Sequence, residues 1–201
     1  FMPYLNINDN SALAKELQAA FGKRGYRFTR MELKSAIKKG LAEYGAYMDG
    51  IHRTGEEYID YARKNGKRIL VLAGRPYHTD PEICHLIDKL ATSLGFVVVS
   101  EDAVCDMTAP AKVDVLNQWT YHARLYNAAK YVTEHDDCNL VQLVSFGCGI
   151  DAITTDEVRA ILEDKGKIYT QLKIDEINNL GAVKIRLRSL IAALEEREGK
   201  I

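Results

Sequence analysis

Four consecutive apolar residues, Ile69-Leu70-Val71-Leu72, stand just after Gly66, where the apolar pattern of the chain changes. Such a run predicts a strand that is buried on both faces. Three similar segments follow at 96–99, 140–144 and 168–174, separated by stretches with helical spacing of apolar residues. Strands that alternate with helices form a parallel sheet with helices on both faces. We therefore predict an α/β fold with a four-stranded parallel doubly wound (Rossmann-like or flavodoxin-like) sheet, in the order 2-1-3-4.

Residues 1–66 carry a different pattern, in which apolar residues recur at helical spacing. Thr29-Arg30-Met31-Glu32 has the sequence of a capping box and predicts the start of a long helix. Gly50 and Gly55 lie in that stretch, and because glycine weakens a helix we expect a kink or break near them. We predict a helical lead-in at 1–66 that packs on an α/β domain at 67–201. The chain begins Phe1-Met2, which suggests a fragment of a larger protein.

Composition excludes several classes of protein. The 201 residues are 47% hydrophobic, and 27 basic residues nearly balance 28 acidic ones, so neither a nucleic-acid surface nor a polybasic lipid anchor is expected. The apolar runs are too short to span a membrane, and the N-terminus lacks the pattern of a signal peptide. The four cysteines lie at least ten residues apart, which excludes zinc-finger spacing. We predict a cytoplasmic protein with free thiols.

Two local patterns predict where helices begin. Asp80-Pro81-Glu82 combines a preferred N-cap residue with proline in the first turn. Thr154-x-x-Glu157 has the spacing of a second capping box. We expect one helix to begin at each of these positions.

Candidate site residues follow from the predicted strand order, because ligands of such sheets bind at the carboxyl ends of the strands. The first strand is followed by Gly74-Arg75-Pro76-Tyr77-His78 and the third by Ser145-Phe146-Gly147-Cys148-Gly149. The order 2-1-3-4 places these two ends side by side. We therefore expect Arg75, Tyr77, His78 and Cys148 to meet in one crevice, although neither a dinucleotide fingerprint nor a P-loop is present.

Structural explanations for these residues stay open. Arg75 could pair with Asp102 or Asp175, Tyr77 could pack the turn, and His78 could bridge loops. Cys148 stands between two glycines, which would let a backbone approach a ligand closely. This cysteine is therefore either a packed thiol or a ligand of a metal or cluster.

Several segments together resemble the C-terminal α/β region of CoA-substrate-specific enzyme activases, which are related to 2-hydroxyacyl-CoA dehydratase subunits. The resemblance covers about residues 30–201. The motifs that carry it are Val71-Leu72-Ala73-Gly74-Arg75-Pro76-Tyr77-His78-x-Asp80-Pro81-Glu82, Ser100-Glu101-Asp102, Asn117-Gln118-Trp119, Ser145-Phe146-Gly147-Cys148-Gly149-x-Asp151-Ala152, Leu172-Lys173-Ile174-Asp175-Glu176 and Ile185-Arg186-Leu187-Arg188-Ser189-Leu190.

The resemblance implies a function within a larger anaerobe protein. In the dehydratases, cysteines of two α/β domains hold a [4Fe–4S] cluster, and an ATP-driven activase delivers one electron that generates a ketyl radical on the acyl-CoA. Cys148 matches one ligand position, and the other ligands would come from a preceding α/β domain. Because clusters normally take four ligands, this chain alone is expected to be iron-free and inactive. Implied partners are that domain, the activase ATPase and acyl-CoA.

Residue roles follow from that resemblance as expectations. Cys148 would be the metal ligand, while Arg75 would offset the charge of a thioester enolate or cluster, and His78 would donate a hydrogen bond or proton. Tyr77 would line the same crevice. The expected substrate-binding residues are Ser145, Gly147 and Asp175.

Two alternatives belong to other functional classes. The first is a flavodoxin-like module that binds a small molecule or phosphate without redox chemistry, using backbone N–H groups at the helix start near Pro81. The second is a scaffold whose helical segment at 11–65 docks onto a partner domain.

Overall fold

The computed structural model describes residues 5–117, 119–145, 147–174 and 180–199. The chain divides into two compact units, one up to Gly50 and one from Ile51 onward. No helix among the described residues is long and apolar enough to span a membrane. The helices are α1 (Asn10–Gly22), α2 (Arg30–Lys64), α3 (Ile87–Ser93), α4 (Thr120–Thr133), α5 (Gly149–Asp164) and α6 (Gly181–Arg197), and the strands are β1 (Ile69–Ala73), β2 (Val97–Ser100), β3 (Cys138–Val144) and β4 (Tyr169–Lys173).

The first unit is built by α1 and the beginning of α2. Leu13 and Ala14 of α1 form a small buried cluster with Leu33 and Ile37 of α2. The predicted capping box is confirmed, because Glu32 accepts the Thr29 N–H at 2.7 Å and the Thr29 hydroxyl accepts the Glu32 N–H at 3.2 Å.

Helix α2 continues through Gly50 and Gly55, so the predicted break is absent. The boundary between the two compact units nevertheless falls between Gly50 and Ile51. A Cβ at Gly55 would lie 2.7 Å from the Cβ of Ala103, so this glycine permits a close packing contact. The predicted domains at 1–66 and 67–201 stay a prediction.

The second unit contains a four-stranded parallel sheet in the order β2-β1-β3-β4, as predicted. The register places Ile69 of β1 between Val97 of β2 and Cys138 of β3. Strand β4 pairs with the other edge of β3. The fold class and the strand order inferred from the sequence are therefore confirmed.

Two apolar layers sandwich this sheet. On one face, Ile69 and Val71 pack in a cluster with residues of α2, α4 and α5, including Ile59, Leu125 and Val158. On the other face, a second buried cluster joins the sheet to α3 and α6. Its members include Leu70, Val141, Ile87 and Leu187. Alternate residues of β1 therefore belong to different cores, which is why this strand is apolar throughout.

Two helix starts differ from the sequence-based prediction. Asp80 does accept hydrogen bonds from the Glu82 and Ile83 N–H groups, but helix α3 begins only at Ile87. His85 and Leu86 have positive φ angles of 49° and 62°, which interrupts the helix. The interruption changes the helix phase, so that Cys84 and Ile87 are buried while Ile83 and Leu86 are exposed.

Helix α5 also begins elsewhere than predicted. It starts at Gly149 with Cys148 as its N-cap residue, five positions before Thr154. The Thr154 hydroxyl is buried and donates to the Asp151 carbonyl inside the helix. The apparent capping box is therefore an internal contact, and the true helix start lies at the end of the loop that follows β3.

Candidate functional site

The carboxyl ends of β1 and β3 lie next to each other because these two strands pair in parallel. The loop after β1 presents Arg75, and the loop after β3 presents Cys148 at the start of α5. This is the position at which ligands bind in doubly wound sheets. The two ends that the sequence analysis singled out do meet.

Arg75 joins the two loops through its guanidinium group. Its Nη2 lies 2.6 Å from Cys148 Sγ and 2.7 Å from Asp151 Oδ1. The other Asp151 oxygen accepts the backbone N–H of Ser145 at 2.9 Å. Asp151, only 6% exposed, therefore fixes both the guanidinium and the loop that precedes the cysteine. The predicted alternative in which Arg75 pairs with Asp102 is wrong, since Asp151 is its ion-pair partner.

The charge of Arg75 is strongly favoured at this site. Burial disfavours its charged form, but the hydrogen bonds to Cys148 and Asp151 outweigh burial and raise the pKa of Arg75 above its usual value. The guanidinium is thus a permanent positive charge beside the cysteine sulfur.

Cys148 is a thiol whose surroundings favour the thiolate. The backbone N–H of Asp151 and, next, the guanidinium of Arg75 lower the pKa of Cys148 below its usual value. The other cysteines differ, since all three are buried. Burial raises the pKa of Cys105 and of Cys138 to about 12, and it also raises the pKa of Cys84. Because the thiolate is the form of cysteine that acts as a nucleophile or metal ligand, Cys148 is the cysteine of the four whose surroundings best suit such a role.

Tyr77 and His78 flank Arg75 on different sides. The Tyr77 hydroxyl accepts a hydrogen bond from Arg75 Nη1 at 3.1 Å, and the residue is 43% exposed. The imidazole of His78 is instead buried, and its Nδ1 accepts the backbone N–H of Arg75 at 3.0 Å. A Cβ at Gly74 would lie 2.4 Å from that nitrogen, so the imidazole packs directly over a glycine. Tyr77 thus contacts the guanidinium of Arg75, whereas His78 contacts the backbone of the same residue.

A cavity of about 390 Å³ opens beside Cys148. Ser145 and Gly147, two of the expected substrate-binding residues, line it together with Lys173. The third, Asp175, lies outside the residues that the structure describes. Asp151 also lines the cavity, which therefore combines the Cys148 thiol and a carboxylate paired with Arg75 with a lysine and the amino end of a sixteen-residue helix. The lysine and the helix end are the two features that favour an anionic ligand.

Comparison with known proteins adds one finding. A family model described as CoA enzyme activase uncharacterised domain (DUF2229) matches residues 1–104, half of the chain. The chain belongs to this family of CoA enzyme activase domains. The match confirms the resemblance and includes Arg75, Tyr77 and His78, whereas Cys148 follows it. No curated protein and no solved structure matches the chain.

Two residues of this activase domain site were not assigned a role from the sequence. Asp151 follows Cys148 by three residues and lies in the first turn of α5. This spacing is the sequence feature that could have indicated its contact with the crevice. His122 lies in the first turn of α4. Burial, followed by the charge of Arg75, lowers the pKa of His122, and Trp119 stacks on its ring at 5.1 Å. Nothing in the sequence pattern indicated that α4 would reach this crevice.

Among the described residues, the candidate metal donor in this crevice is the thiol of Cys148. Within residues 5–117, 119–145, 147–174 and 180–199, no group of three or more histidine, cysteine or acidic residues could hold a metal ion. Cys148 fits the requirement for a single cluster ligand, because it is accessible and favours the thiolate. A complete cluster site would require ligands from outside these residues.

Proposed function

We propose that this activase domain supplies Cys148 as one thiolate ligand to a [4Fe–4S] cluster shared with another domain of a larger protein. The observation that carries the proposal is the Cys148 sulfur, which is partly exposed at the strand ends and lies 2.6 Å from the guanidinium of Arg75. When bound, such a cluster would supply one-electron transfer to a CoA-linked substrate. The expected partners are the preceding α/β domain, the activase ATPase and acyl-CoA, in the cytoplasm of an anaerobe.

The residues around Cys148 suit that role. Arg75 donates a hydrogen bond to the sulfur, and hydrogen bonds to cysteine sulfurs are one means by which proteins adjust the reduction potential of a cluster. Asp151 holds the guanidinium in place and is itself held by the Ser145 N–H. The Tyr77 hydroxyl accepts a further hydrogen bond from the guanidinium. This chain would thereby position one ligand and place a positive charge beside it.

The test is iron binding by the longer protein, reconstituted anaerobically with iron and sulfide. The variant Cys148→Ala should lose iron and the visible absorbance typical of iron–sulfur clusters. The matched control is Cys84→Ala, because Cys84 is buried in the core and has a raised pKa. Equal iron content in wild type and Cys148→Ala would refute the ligand role.

A second candidate function is binding of an anionic small molecule without redox chemistry. Lys173 and the amino end of α5 line the cavity beside Cys148, which favours this possibility. The position near Pro81 is less suited to an anion, because the Asp80 carboxylate already accepts the local N–H groups. In iron-free protein, a CoA ester or inorganic phosphate that slows the alkylation of Cys148 by iodoacetamide would support this candidate.

A further inference from the structure

A second cavity, of about 220 Å³, lies at the carboxyl ends of β1 and β2. None of the residues that line it lines the cavity beside Cys148. Its walls are largely apolar, formed by side chains such as Leu72, Val98 and Leu143. At about 30 Å³ for each water-sized group, it has room for about seven heavy atoms. This volume suits a small organic molecule.

The distinctive feature of the cavity is the carboxyl group of Glu101. Glu101 is 3% exposed and lines the cavity, although it directly follows the edge strand β2. The described residues contain no ion pair to this carboxyl, and the lining includes neither lysine nor arginine. A buried carboxylate without a paired cation is costly, so a positively charged occupant would be favoured.

The other titratable groups around Glu101 do not supply that positive charge at short range. Burial and the negative charge of Asp102 raise the pKa of Glu101 to about 7. The backbone N–H of Glu101, then the positive charge of Arg124 on α4, then the backbone N–H of Gly74 lower it only in part. The remaining titratable groups that line the cavity are His78 on the turn at 76–79, and Cys84 and Asp88 on the segment that leads into and forms α3.

We propose that this cavity binds a small alkylammonium ion, with its ammonium group against the Glu101 carboxylate and its alkyl chain against the apolar walls. Asp88 adds a second negative charge to the lining. Thr79 and Ser100 add hydroxyl groups that can accept hydrogen bonds from an ammonium. The site thus offers one buried charge, several acceptors and an apolar pocket, which is the arrangement that distinguishes an alkylammonium ion from an alcohol of the same length.

Binding can be tested by calorimetry with n-butylammonium as the probe and 1-butanol as its neutral analogue. We expect the ammonium to bind, with about tenfold or greater weakening in the variant Glu101→Gln. The variant Glu134→Gln removes a carboxyl that is exposed at the end of α4 and should bind as the wild type does. Circular dichroism of both variants establishes that each is folded.

The pH dependence gives a second, independent readout. Because Glu101 must lose its proton to pair with the ammonium, affinity should fall about tenfold per pH unit below 7 and level off above it. Titrations in two buffers of different ionisation enthalpy should show about one proton released per ion bound at pH 6. The proposal is overturned if butylammonium does not bind, if 1-butanol binds equally well, or if Glu101→Gln retains the affinity and its pH dependence.

Discussion

Replacement of Glu101 by glutamine should remove a pH-dependent loss of stability that this buried carboxyl imposes. Burial, assisted by Asp102, raises the pKa of Glu101 from 4.5 to about 7. Each pKa unit corresponds to about 1.4 kcal/mol, so the folded protein pays about 3 kcal/mol to keep Glu101 ionised at high pH. Because the side chain is nearly fully buried, solvent screening reduces this figure little.

The sign of the effect follows from which state holds the proton more tightly. Below pH 4.5 the carboxyl is protonated in both the folded and the unfolded chain, so its stabilising contribution is fully present. Between 4.5 and about 7 the folded state binds more protons, and the free energy of unfolding falls as the pH rises. Glutamine has no proton to lose, so the variant should gain about 2.5 kcal/mol relative to wild type between pH 5 and pH 8.

Urea unfolding at pH 5, 6, 7 and 8 can measure this difference, with fluorescence of the single tryptophan as the probe. Trp119 lies in the unit that contains the sheet, so its signal reports on the unit that contains Glu101. The difference between Glu101→Gln and wild type cancels the contributions of histidines and other carboxyls, which are common to both forms. A difference in unfolding free energy between Glu101→Gln and wild type that stays constant from pH 5 to pH 8 would refute the reasoning.

Three further predictions concern the loops at the strand ends. Arg75→Gln should raise the pKa of Cys148 and slow its alkylation at pH 7 several-fold, because the variant loses the charged hydrogen bond to the sulfur. Alkylation rates measured against pH report the change, and an equal change in the exposed control Arg188→Gln would contradict the prediction. At pH 7, iodoacetamide should modify Cys148 before Cys105, whose pKa burial raises to about 12, and mass spectrometry of peptides identifies the order. Gly74→Ala should destabilise the fold by about 1–3 kcal/mol, because its Cβ would lie 2.4 Å from a buried imidazole; an unchanged urea midpoint would show that the ring can move aside.

The contacts in the crevice join the part of the chain that the family model matches to the part that follows it. Arg75 lies within the matched part of the family model, whereas its partners Cys148 and Asp151 lie beyond it. The guanidinium therefore contacts Cys148 and Asp151 only because the fold pairs β1 with β3. Because the family match ends at residue 104, it does not include Cys148.

The sequence by itself determined the sheet of this protein. Apolar runs such as 69–72 can be buried only between two helical layers, and helical crossovers between successive strands allow only parallel pairing with few possible orders. That order in turn predicted that the segments after β1 and β3 would meet. The approximate positions of Arg75, Tyr77 and Cys148 therefore followed from patterning alone.

Only the tertiary structure decided what those residues contact. Arg75 pairs with Asp151 rather than Asp102, and the ring of His78 packs against Gly74. Both contacts depend on loop conformation, which apolar periodicity does not encode. The same holds for α3, which begins only after the left-handed residues His85 and Leu86. The burial of Glu101 likewise follows from the elements that pack around the end of β2, because burial is a property of the packed chain rather than of the residue.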